Sequence, residues 1–73
     1  MSPKEETIRL CMNIISDRLR SAAVIADAAK VCADVGHGAD AVRISLDTEQ
    51  LLYEANTLLN AVSLINRVGD EQR

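Results

Sequence analysis

Two cysteines, Cys11 and Cys32, and one histidine, His37, are the side chains of this sequence best suited to nucleophilic or metal chemistry. Cys32 and His37 stand close enough along the chain to form a thiol–imidazole pair across a helix end. No oxyanion donor or orienting third group accompanies them, and Gly36-His37-Gly38 reads as turn chemistry. Cys11 lies about 30 Å from Cys32 along a helix, beyond disulfide reach. Zinc needs three or four ligands and a di-iron bundle needs inward Glu-x-x-His motifs, and the sequence supplies neither. Asp17, Asp27 and Asp34 fall on or beside a polar strip and read as a solvated face. Phosphate-binding glycine loops and the HExxH zinc signature do not occur. The expectation is a chain with no catalytic, cofactor or metal site, and so not an enzyme.

The elements that would carry these side chains are helical. Ser2-Pro3-Lys4-Glu5 is a helix start, with Ser2 as N-cap, Pro3 at the first helical position and Glu5 completing a capping box. No Gly or Pro interrupts the chain until Gly36, a left-handed stop, so one helix of about 50 Å is expected over 3–35. Along it Ile8, Met12, Ile15, Leu19, Ala22, Ala26, Ala29 and Ala33 alternate steps of four and three, the seam of a coiled coil or bundle. Leu10, Cys11, Ile14, Val24, Ile25, Val31, Cys32 and Val35 lie off that seam and widen the apolar arc beyond what one neighbouring helix covers. Arg9, Asn13, Ser16, Arg20, Asp27 and Asp34 form the polar remainder.

Residues 36–46 read as a connection. Asp47 with Gln50 marks a second capping box, and a second helix is expected over 48–68, closed by Gly69, with 70–73 fraying. Its apolar side comprises Leu51, Leu52, Ala55, Leu58, Leu59, Val62 and Ile65, with Asn56, Asn60, Ser63 and Arg67 facing outward. The expected fold is all-α, an antiparallel helical hairpin forming a single domain over 1–73. At about 30 Å the second helix should cover only the C-terminal two-thirds of the first, leaving Ile8 and Leu10 on an overhang. Arg18 and Glu54 fall among apolar positions and are read first as long side chains snorkelling from the core margin, with an intersubunit or interhelix ion pair that fixes register as the alternative.

Composition makes self-association the simplest outcome. A chain of 73 residues buries only about 60% of its unfolded surface, and 48% of this one is apolar with Tyr53 as its sole aromatic side chain. Two hairpins pairing into a four-helix bundle would hide the surplus; the alternative is that residues 36–46 fold back over the exposed face. Ile8, Met12, Ile15, Leu19, Ile25, Leu51, Leu58, Val62 and Ile65 are the expected self-association residues, and Leu10, Tyr53, Leu64 and Val68 the expected contacts for another partner protein. A net charge of −3 disfavours nucleic acid and anionic membrane, and the basic residues are scattered among acids. Unpaired thiols, with no secretory leader or spanning run in the sequence, fit a cytoplasmic protein.

In length, short N-terminal lead and two-helix plan the chain resembles the Rop type of small RNA-binding homodimer. That resemblance implies a nucleic-acid-binding regulator as the alternative function. It rests on architecture, with no functional residue of the family matched, so it carries no activity across. The preferred expectation is a small interaction module, an inhibitor, adaptor or accessory regulator, acting as a homodimer.

Overall fold

The computed structural model describes residues 2–71, with side chains through residue 68. Three helices follow in order: α1 (Pro3–Asp34), α2 (Gly38–Ser45) and α3 (Thr48–Glu71). α1 begins as its sequence requires. The Ser2 hydroxyl accepts the Glu5 amide at 3.2 Å and donates to the Glu5 carboxylate at 3.4 Å, and Glu5 and Glu6 sit in the positive field of the first turn. It ends in a Schellman motif: the Gly36 amide donates to the Ala33 carbonyl at 3.1 Å and the His37 amide to the Cys32 carbonyl at 2.9 Å. That geometry needs the positive φ of Gly36, 86°. A Cβ at this position would meet nothing within 4 Å, so the cost of Gly36→Ala is backbone strain alone. A loss of about 1–2 kcal/mol is expected, read as a lower urea midpoint with an unchanged m-value.

The connection expected over 36–46 is instead mostly helix. Ala41, Ile44 and Ser45 face inward at helical spacing, and Asp40 in the first turn pairs with Arg43 at 3.5 Å. Eight residues are too few for periodicity to declare itself in a sequence, and such a short helix persists because it docks on α1. At the break before α3 the Ser45 hydroxyl donates to the Val42 carbonyl at 2.8 Å, which also accepts the Leu46 amide at 3.1 Å, and the Thr48 hydroxyl donates to the Ser45 carbonyl at 2.7 Å. The Glu49 amide turns back to the Leu46 carbonyl at 3.1 Å, so backbone bonds carry the start of α3.

α2 and α3 together form one broken arm running antiparallel to α1. Their eight and 24 residues equal the 32 of α1, so the arms match in length. This reverses the expected coverage. α2 lies along the C-terminal third of α1, and α3 reaches its N-terminal part, where Ile8 and Met12 share a groove with Val62, Ser63 and Asn66. The overhang up to Cys11 is therefore absent. α3 also runs through Gly69 to Glu71: a glycine stops a helix only where the chain turns left-handed. The fraying expected for 70–73 lies in part outside the described residues, and helix continues through 70 and 71.

The inward seam of α1 is rotated from the one expected. Between Ile8 and Cys32 the positions that are not exposed are Ile8, Cys11, Ile15, Arg18, Ala22, Ile25, Ala29 and Cys32, again in alternating steps of three and four. Met12, Leu19, Ala26 and Ala33 lie on its flank and are exposed. The buried core among the described residues is four alanines and a valine: Ala22, Ala29, Ala41, Ala55 and Val62. Among the described residues no large side chain is fully buried. The result is a rod of 57 × 18 × 13 Å, two helices wide and one layer thick.

Candidate functional site

A one-layer hairpin has two broad faces, and both are grooved along the α1–α3 contact. On one face Ile8 and Met12 lie opposite Leu59, Val62, Ser63 and Asn66, and the groove continues with Ile15 and Leu19 opposite Leu52, Ala55, Asn56 and Leu59. Its large aliphatics are only half covered: Met12 is 45% exposed, Leu19 47%, and Leu52 and Leu59 49% each. Met12 and Leu19 are one heptad apart on α1, as are Leu52 and Leu59 on α3, so each helix presents a repeating stripe to this face. No ionisable side chain lines it.

The other face differs in chemistry. Ile14, Arg18, Tyr53, Glu54, Thr57 and Leu58 line its groove, and the Arg18 Nε lies 3.2 Å from the Glu54 Oε1. Arg18 also bonds Asp17 at 3.0 Å. The two long side chains do not snorkel independently; they join α1 to α3 across the seam, where a charged pair favours one register of the hairpin. Tyr53 is 67% exposed beside them.

No family model matches the chain. No curated protein and no solved structure is similar to it either. Its chemistry is therefore read from its own surfaces.

The expected self-association residues are divided by the structure. Ile8, Met12, Ile15, Leu19 and Val62 line the uncharged groove, Leu58 lines the opposite one, and Ile25, Leu51 and Ile65 stand half-buried within the chain's own seam. The expected partner contacts Leu10, Tyr53, Leu64 and Val68 are all exposed. Ala55, Leu52, Leu59, Asn56, Ser63 and Asn66 complete the uncharged groove, the last five of them outside the buried core. Their signal in the sequence is the sevenfold spacing of 52, 59 and 66 and of 56 and 63.

His37 caps α2 without a side-chain bond to its backbone, and its Nδ1 lies 3.8 Å from the Asp40 carboxylate. Cys32 is tied to it through the backbone bond of the Schellman motif, and both cysteines are free thiols. Among the described residues no three His, Cys, Asp or Glu side chains converge to hold a metal ion, and no helix is long and apolar enough to cross a membrane.

Proposed function

We propose that this chain is a cytoplasmic protein–protein interaction module whose hairpin pairs with a second copy into a four-helix bundle, and whose remaining exposed helix faces bind another protein as an inhibitor, adaptor or accessory regulator. One observation carries the reading: among the described residues no large side chain is fully buried, while the apolar stripes stay half wet. The surface makes the deficit quantitative. The chain exposes 5346 Å², whereas a compact protein of 7.9 kDa exposes about 4,400 Å². The excess, roughly 900 Å², is close to one partner's share of a standard interface. The radius of gyration agrees, 16.8 Å against about 11 Å for a compact chain of this length. Stacking a second layer on the first is the arrangement that encloses a core from such parts.

The test is solution mass together with melting. Sedimentation equilibrium should give twice 7.9 kDa at micromolar concentration, and the melting temperature should rise with protein concentration, because dissociation accompanies unfolding. A single-copy mass with concentration-independent melting would overturn the reading.

A further inference from the structure

We infer that the second copy docks on the uncharged groove carrying Met12, Leu19, Leu52 and Leu59, leaving the Tyr53 face free. The inference rests on the self-association proposed above and assigns it to one of two available faces. A two-fold interface sets the same patch against itself, so every group near the axis must tolerate its own copy. The uncharged groove meets that condition. Its half-exposed aliphatics repeat every heptad on both helices, and its polar members, Asn56, Ser63 and Asn66, each carry both a donor and an acceptor and so can pair with their symmetry mates. The opposite groove fails it. There the Arg18 and Glu54 charges, already satisfied by each other and by water, would lose solvation beneath a partner. A chain of net charge −3 gains further from meeting its copy where no ionisable group lines the contact.

Alanine truncations distinguish the faces, because alanine keeps helix propensity and the two-fold counts each substitution twice. Leu19→Ala and Leu59→Ala should each weaken the dimer roughly tenfold to a hundredfold by sedimentation equilibrium, while Ile14→Ala and Tyr53→Ala stay within about threefold of the parent. Helicity is followed in parallel. Loss that is restored by raising the concentration of the leucine variants reports weakened pairing and supports the assignment; loss at every concentration overturns it, since the side chains then belong to the chain's own core. A dimeric parent whose leucine variants pair normally, or whose two sets of variants weaken it equally, also overturns the assignment while leaving self-association intact. A monomeric parent removes the proposed function itself.

Discussion

Ile25→Asp should unfold the chain. Ile25 stands on the inward seam of α1 between Ala22 and Ala29, the two most buried positions of that helix, where an aspartate meets apolar neighbours in place of water. The substitution removes an aliphatic contact, adds a charge to a seam whose cationic member, Arg18, is already engaged, and replaces a fair helix former with a poor one. A loss of about 3 kcal/mol is expected, against a total at the low end of the usual range for a chain with so small a core. Far-ultraviolet circular dichroism should show the helical signal gone at all accessible concentrations. Leu19→Asp, six residues earlier on the same helix, lies on the groove flank and should weaken pairing, so that helicity is lost in dilute solution and returns as the concentration is raised. If the two variants behave alike, the rotation of the seam is wrong.

That rotation marks what the sequence makes legible. The start and stop of α1 were readable because capping is local: Ser2, Pro3, Glu5 and Gly36 act through bonds to neighbours a few residues away. The choice of seam is not local. Ile8 and Ile15 begin two alternative stripes, one through Met12 and Leu19 and the other through Cys11 and Arg18, and hydropathy favours the first. The hairpin uses the second: Ala22 and Ala29, common to both stripes, let the arms approach closely beside Ala55 and Val62, and Arg18 of the second stripe finds Glu54 across the contact. The larger aliphatics are left outside, where a single layer has nothing to cover them. Hydropathy thus points to the edge of α1 that carries Met12 and Leu19, whereas the chain's own contact uses the edge that carries Cys11 and Arg18.

The same reasoning failed at 36–46 for a different cause. A helix of eight residues is marginal alone, and its existence depends on docking against α1. Once that segment is helical, the second arm grows to the length of the first, and the coverage of Ile8 follows. The candidate site was legible only in part. Met12 and Leu19 could be named from spacing, but the pairing of their stripe with Leu52 and Leu59, and the lack of charge between them, emerge from the register of the hairpin.

The four alanines of α1 that share a single stripe in the sequence fall on two surfaces in the structure, and enlarging them should separate the two. Ala22 and Ala29 are each 7% exposed on the inward seam, whereas Ala26 and Ala33 are exposed on the flank. Leucine at Ala22 or Ala29 adds three carbons where the arms are closest, forcing either a strained rotamer or a wider helix separation. Each should cost about 1–3 kcal/mol, and Ala22→Leu with Ala29→Leu together should leave the chain largely unfolded in mild urea. Leucine at Ala26 or Ala33 keeps helix propensity and meets no such constraint, so these variants should lie within about 0.5 kcal/mol of the parent. Urea midpoints with unchanged m-values report the difference directly. Equal destabilisation at all four positions would return Ala26 and Ala33 to the core and, with them, Met12 and Leu19. The groove would then be part of the chain's own packing, with nothing left for a second copy to cover.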